Sequence, residues 1–282
     1  MKVVIFGATG MVGQGVLREC LLDPDVDSVL VVVRSASLPQ HDKLREIVHQ
    51  DVFDLAAIEH RLSGYDACFF CLGVSSVGMK EETYRRVTYD LTVSVAKTLA
   101  KLNPTMTFIY VSGAGTDSTE RGRSMWARVK GRTENALLPM PFKGVYLFRP
   151  AYIQPLRGIR TKTRWYGAAY ALMRPLYPLW KMLFPNYVTT TECVGRAMLN
   201  VTKRGFPKPV LENRDINNMC AKNAGCSEVT IVRTSCSHAT DCYYFFLAAG
   251  GYQVSENETV ARDDLSHCHS KIAPEYRCCI DE

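Results

Sequence analysis

Three glycines spaced three apart, Gly7, Gly10 and Gly13, form the pattern in this chain that points most directly to chemistry. They punctuate the run Gly7-Ala8-Thr9-Gly10-Met11-Val12-Gly13. Such a loop can seat a pyrophosphate. Gly7 permits a tight turn, Gly10 lets bare backbone approach the phosphates, and Gly13 lets a following helix pack close to the preceding strand. Thr9, Met11 and Val12 complete the loop, where the unpaired N–H groups and partial positive charge of a helix start face the anion. The pattern is a dinucleotide-binding fingerprint. About 20 residues past the glycines, sites for an unphosphorylated ribose carry an acid. This chain has Arg34 at the corresponding strand end, and a guanidinium suits a ribose 2′-phosphate through a bidentate charge-assisted pair. NADP is therefore expected ahead of NAD.

The loop needs a strand before it and a helix after it. Val3–Phe6 supplies the strand, and Val12, Val16, Leu17 and Cys20 fall on one helical face. Ser28–Val33 reads as a second buried strand. Asp51 and Val52 fall where a third strand should end, beside the expected place of an adenine ring, and Asp54 reads as the N-cap of a helix Leu55–Leu62. Asp66–Gly73 reads as a fourth strand, whose end, Cys71-Leu72-Gly73, passes close to a cofactor. Cys68 and Cys71 have C-x-x-C spacing, but residues three apart in a strand face opposite ways, so two buried small apolar side chains are expected rather than a redox or metal pair. Glu81–Leu102 is a long amphipathic helix, Thr107–Ser112 a fifth strand, Ser124–Leu138 a helix and Gly144–Pro150 a sixth strand. Thr191 reads as the N-cap of a helix to Val201, and Lys208–Glu212 as a short last strand. Strands alternating with helices imply an α/β fold, a Rossmann-type doubly wound parallel sheet. Residues 1–217 are expected to form this domain, with a small, mostly helical substrate or lid part over about 151–217, followed by a Cys-rich tail, 218–282.

The chain has 282 residues, 34 of them Lys or Arg and 28 Asp or Glu, and the imbalance is local. Asn218–Glu282 holds five basic and nine acidic residues, leaving 29 and 19 before it. Between Glu134 and Glu192 there is no acid, while Arg157, Arg160, Lys162 and Arg164 accompany Trp165, Tyr166, Trp180 and Tyr187. Basic and aromatic side chains over 157–187 permit a lid over a substrate pocket, the preferred reading, or a peripheral membrane contact. No nucleic-acid module is present. The glycine-interrupted start gives no signal peptide, which leaves a reduced, cytoplasmic location as the expectation. Seven of the 11 cysteines lie beyond residue 217, without the pair spacing of zinc ribbons. The tail reads as poorly ordered or non-native sequence ahead of a metal-binding or redox-labile appendage, and no metal site is expected.

Several landmarks occur in a definite order: the glycine loop, Cys71-Leu72-Gly73, Tyr110-Val-Ser112-Gly-Ala-Gly115, Lys130-Gly131 and Phe148-Arg-Pro150. Together they resemble the short-chain dehydrogenase/reductase superfamily, and most nearly its atypical extended branch of NAD(P)-binding epimerase-like proteins related to Tat-interacting-protein oxidoreductases. The resemblance spans about residues 1–217. It implies an NAD(P) cofactor, a small carbonyl or alcohol substrate, and a Ser–Tyr–Lys trio. In that trio tyrosine exchanges the proton, lysine binds the nicotinamide ribose and serine bonds the substrate oxygen. Ser112 and Lys130 match. Where the tyrosine belongs, four residues before Lys130, stands Trp126. An indole N–H donates but does not accept or ionise in the useful range, so it cannot do a phenol's work. Tyr152, just past Pro150 and so near the nicotinamide, is the best substitute acid; Tyr110 or a water chain through Ser112 and Lys130 are others. An enzyme of altered proton chemistry is preferred slightly over a non-catalytic dinucleotide-binding sensor or scaffold. Oligomeric state is not encoded legibly.

Overall fold

Strands buried on both faces read as unbroken apolar runs, because helices cover each side of a parallel sheet. Three such runs form its centre: β1 (Lys2–Phe6), β2 (Ser28–Val33) and β4 (Ala67–Phe70). With β3 (Leu44–Val48), β5 (Thr107–Val111), β6 (Gly144–Arg149) and β9 (Val210–Glu212) they make a seven-stranded sheet, ordered β3-β2-β1-β4-β5-β6-β9. Every pairing is parallel. The chain divides into two units, 1–225 and 226–282. This computed structural model describes residues 1–36, 38–156, 159 and 185–221. The tail beyond Ala221 therefore lies outside the described residues, as does the basic aromatic stretch apart from Ile159 and Pro185–Tyr187.

Alternate side chains along each strand feed two cores. Val3, Ile5, Val29, Val31, Phe69 and Ile109 pack under α1 (Met11–Leu22) and α5 (Thr191–Arg204). Val4, Phe6, Leu30, Phe70, Phe108 and Tyr110 pack under α3 (Leu91–Leu102) and the end of α4 (Met125–Leu137). On this second face Phe6, Phe70 and Phe108 stack across neighbouring strands, with centroids 5.7 and 6.0 Å apart, each pair adding about 0.5–1.5 kcal/mol beyond burial. Cys68 belongs to this face and Cys71 packs against the other, so the C-x-x-C spacing joins nothing. Both thiols are free, and burial pushes Cys71 up to about 12, which makes it inert.

Several boundaries depart from the sequence expectation. β3 ends at Val48, so Asp51 and Val52 lie in the loop beyond it. The helix expected over 55–62 is a 3₁₀ stretch, Ala56–Arg61, capped at Leu55; Asp54 nonetheless accepts the Ala56 N–H at 2.9 Å. The long helix is α2 (Glu81–Arg85), a π turn (Arg86–Asp90) and then α3, because one wide turn is inserted into an otherwise continuous helix. The N-cap of α5 is Thr190, whose hydroxyl accepts the Cys193 N–H at 3.1 Å, and the helix continues to Arg204. β7 (Tyr152–Gln154) and β8 (Val188–Thr190) form a separate parallel pair, and α6 (Asn213–Ala221) follows β9. Among the described residues, no helix is long and apolar enough to cross a membrane.

α5 returns to the main domain and lies directly on α1. A Cβ on Gly15 would sit 2.6 Å from the Thr191 side chain, and one on Gly195 3.0 Å from Glu19. Ion pairs bracket this contact: Arg196 Nε to Glu19 at 2.8 Å, and Lys203 to Asp23 at 2.7 Å and to Asp25 at 2.5 Å.

Candidate nucleotide-binding site

The order of the sheet reverses direction between β1 and β4, which opens a crevice outside the carboxyl ends of those strands. The glycine loop stands at that point. Gly7 adopts φ +85°, and a Cβ there would lie 2.7 Å from the Leu72 nitrogen, so β1 and β4 end backbone against backbone. Gly10 donates its N–H to the Gly7 carbonyl at 2.9 Å and serves as N-cap of α1. A Cβ on Gly13 would meet the Gly7 carbonyl oxygen at 2.0 Å, so only glycine lets α1 start this close to the turn. The first intrahelical bond runs from Gln14 N–H to the Gly10 carbonyl at 2.9 Å, leaving the amides of Met11, Val12 and Gly13 free of helical partners. Gln14 Nε2 ties the loop by donating to the Thr9 carbonyl at 3.1 Å. The structure thus brings Gly7, Thr9, Gly10, Met11, Val12, Gly13, Cys71 and Leu72 to one place. Beyond its own chain neighbours, none of the described residues comes within 4 Å of the position a Gly73 Cβ would take.

Arg34 is exposed where β2 ends, and Gln50 donates to its carbonyl at 2.6 Å. Asp51 is exposed and accepts the Phe53 N–H at 2.9 Å, while Val52 packs at the edge of the second core. These three residues lie at the carboxyl ends of β2 and β3, on the crevice edge of the sheet.

The second group rests on β5, β6 and α4. Ser112 N–H donates to the Phe148 carbonyl at 2.9 Å, and Ala114 N–H to the Pro150 carbonyl at 2.9 Å, so the two strand ends are tied beyond the sheet. On α4, Trp126 and Lys130 stand one turn apart. The Lys130 ammonium donates to the Ser112 carbonyl and lies 3.7 Å from where a Gly113 Cβ would be. Burial pushes its pKa down to about 8, against the opposing pull of Glu134. The indole edge of Trp126, at Cη2, is 3.4 Å from a Cβ built on Gly115, in the place the resemblance gives to a tyrosine. α4 packs so tightly on the loop before it that a Cβ on Gly131 would fall 1.8 Å from the Asp117 carbonyl oxygen.

The substitute acids fare unequally. Tyr110 is 1% exposed inside the second core, where burial raises its pKa, so it does not serve the crevice. Tyr152 lies in the small β7–β8 sheet, and its hydroxyl donates to Gln154 Oε1 at 2.9 Å. Sequence reasoning missed Glu134. It is 1% exposed, accepts from the Ser112 hydroxyl at 2.5 Å and pairs with Arg149. The signal was there, because Trp126, Lys130 and Glu134 repeat at four-residue intervals on one helical face.

Residues 7–136 match the NAD(P)H-binding family. The chain is 28% identical over 170 residues to protein FMP52, mitochondrial, of Saccharomyces cerevisiae, covering 59% of this chain and 71% of that protein. It is 24% identical over 210 residues to the mitochondrial fmp52 protein of Emericella nidulans, covering 71% and 86%. Among solved structures it resembles the Bordetella bronchiseptica enzyme WbmF in complex with NAD+, at 15% identity and TM-score 0.53 over 78% of this chain and 77% of that one. Helicobacter pylori ADP-L-glycero-D-manno-heptose-6-epimerase is similar at 16% identity and TM-score 0.54 over 79% and 82%. At these identities the structural likeness speaks for the fold.

Proposed function

We propose that the chain is a Rossmann-type NAD(P)H-binding protein of the short-chain dehydrogenase/reductase superfamily, that it holds NADP in the crevice and that it transfers hydride to or from a small carbonyl or alcohol substrate. The observation that carries this reading is the glycine loop, where Gly13 permits an approach no side chain would allow and three amides at the start of α1 face the switch point. Gly7, Thr9, Gly10, Met11, Val12 and Gly13 would take the pyrophosphate. Asp51 and Val52 would flank the adenine. Cys71, Leu72, Gly73 and Pro150 would line the path of the nicotinamide half. Arg34, exposed at the end of β2, would pair with a 2′-phosphate. When bound, the nicotinamide supplies the hydride chemistry. Lys130 would hold the ribose with the donors its bond to the Ser112 carbonyl leaves free. Titration of nicotinamide fluorescence with NADPH and NADH tests this reading; tighter NADH binding overturns the role of Arg34, and no binding overturns the whole.

Trp126 supports a second reading, a dinucleotide-responsive sensor or scaffold without turnover. In this reading the indole would stand at the proton-transfer position, where it cannot exchange a proton. Trp126→Tyr decides between the two. Turnover in the native protein favours the enzyme, with Tyr152 or a water beside Ser112 supplying the proton. Turnover gained only in the variant favours the sensor. The curated relatives are named as mitochondrial, which supports that compartment over the cytoplasmic expectation, and fractionation of the tagged protein checks it. Peripheral membrane contact through 157–187 is tested by flotation with anionic vesicles.

A further inference from the structure

Glu134 is a carboxylate with 1% exposure, and a buried charge is costly unless it is paired. Arg149 provides the pairing through both carboxylate oxygens, Nε to Oε1 at 3.1 Å and Nη2 to Oε2. The guanidinium is itself fixed by Ser118 Oγ at 2.6 Å and Glu212 Oε1 at 3.3 Å. Buried ion pairs of this kind are often replaceable by apolar side chains without loss of stability, so stability alone does not account for it. The pair does place an ionised acceptor, held from β6, directly beside the Ser112 hydroxyl.

Ser112 has one hydroxyl proton and two acceptors within reach: Glu134 Oε1 at 2.5 Å and the Phe148 carbonyl at 3.2 Å. Both belong to the protein interior, and the ionised one is nearer and stronger. Lys130 does not compete, because it donates to the serine's carbonyl rather than to its hydroxyl. With its proton turned inward, Ser112 has only lone pairs to offer a bound molecule. We propose that Glu134, clamped by Arg149, is a positioning residue that makes Ser112 a hydrogen-bond acceptor, so that this subsite takes a ligand hydroxyl in preference to a carbonyl oxygen. This reverses the sense of the serine contact that the resemblance implies. It rests on the dehydrogenase-type reading for its ligand, but the hydroxyl's direction is independent of that reading.

Two measurements test it. Neutron diffraction from crystals of the deuterium-exchanged, unliganded protein is expected to place the Ser112 deuteron between Oγ and Glu134 Oε1. A deuteron pointing into the crevice overturns the proposal. In the second, cyclohexanol and cyclohexanone serve as a matched pair, and their affinities for the NADP+-loaded protein are compared by ligand-observed NMR. In Glu134→Gln, the amide oxygen stays with Arg149 Nη2 at the Oε2 position, the closer of the two guanidinium contacts, so the amide N–H₂ takes the Oε1 position, faces Ser112 and turns its proton away, while Arg149 Nε loses an acceptor. The preference for alcohol over ketone is expected to fall at least tenfold in that variant, and not at all when the same change is made on Ser112→Ala. An unchanged preference, or an equal fall in the Ser112→Ala background, overturns the proposal. Should Glu134→Gln fail to fold, the deuteron position in the native protein decides. A protein that takes up neither nucleotide refutes the proposed function while leaving that position measurable.

Discussion

Alanine at Gly10 and alanine at Gly13 should fail in different ways, and the difference tests whether the loop is a phosphate cradle or only a packing device. At Gly13 the added methyl would lie 2.0 Å from the Gly7 carbonyl oxygen and 2.7 Å from its carbon. Non-bonded carbons keep about 3.5 Å from their neighbours, so α1 must retreat by roughly 1.5 Å or the turn must open. Overpacking of that kind costs about 1–3 kcal/mol, or ~3–10 °C in Tm for a domain of this size. At Gly10 the methyl would lie 3.3 Å from the Gly7 oxygen, and φ is −81°, a conformation alanine adopts freely. The fold should absorb it with Tm within ~2 °C, since Gly→Ala at a compatible site also narrows the unfolded ensemble. The methyl would nevertheless stand at the helix start, where the phosphates must touch backbone. NADPH affinity should fall at least about tenfold, equivalent to ~1.4 kcal/mol. Thermal unfolding and nicotinamide fluorescence on the same preparations measure both. Gly10→Ala that binds like the native protein refutes the cradle; Gly13→Ala with native Tm refutes the contact from which its cost was worked.

Arg34→Ala should weaken NADPH by about tenfold and NADH by less than about twofold, because only the former carries the 2′-phosphate; fluorescence titration checks it. Lys203→Met should lower Tm at neutral pH, since it strips the partner from Asp23, which is 9% exposed. The Lys203 hydrogen bond holds Asp25 below its ordinary 3.8, so that pairing is complete above about pH 4 and is lost as acid protonates the carboxyl. The Tm gap between native and variant should accordingly narrow in acid. Burial holds Lys130 at about 8 against an ordinary 10.5, so between those values the unfolded chain binds the extra proton and native stability gains as pH rises. Lys130→Met should remove that gain, visible as a native-minus-variant Tm difference that grows from pH 8 to 10.

The glycine loop's geometry was legible because its constraints are local. A glycine triplet between an apolar strand and an amphipathic helix leaves few alternatives, and the doubly wound parallel sheet followed from the alternation of strands and helices. The helix boundaries were less legible where a single backbone hydrogen bond decides them, as when Thr190 rather than Thr191 caps α5. The π turn in 86–90 left the apolar pattern looking continuous. Gly15 and Gly195 escaped notice because their reason is each other's helix, 180 residues apart in the chain. Glu134 was missed for a similar reason, since its partner Arg149 lies on the next strand and an acid on a helix ordinarily faces water.

Position 131 will mislead any survey that swaps residues one at a time. Its neighbour Lys130 donates to the Ser112 carbonyl at the end of β5, so loss of nucleotide uptake there invites assignment to the chemistry. The 1.8 Å separation from the Asp117 oxygen predicts a different rule, a penalty that climbs with side-chain bulk and ignores polarity. Serine and alanine should be about equally damaging. A library built to alter ligand preference should therefore leave this helix's inner flank untouched and diversify the opposite wall.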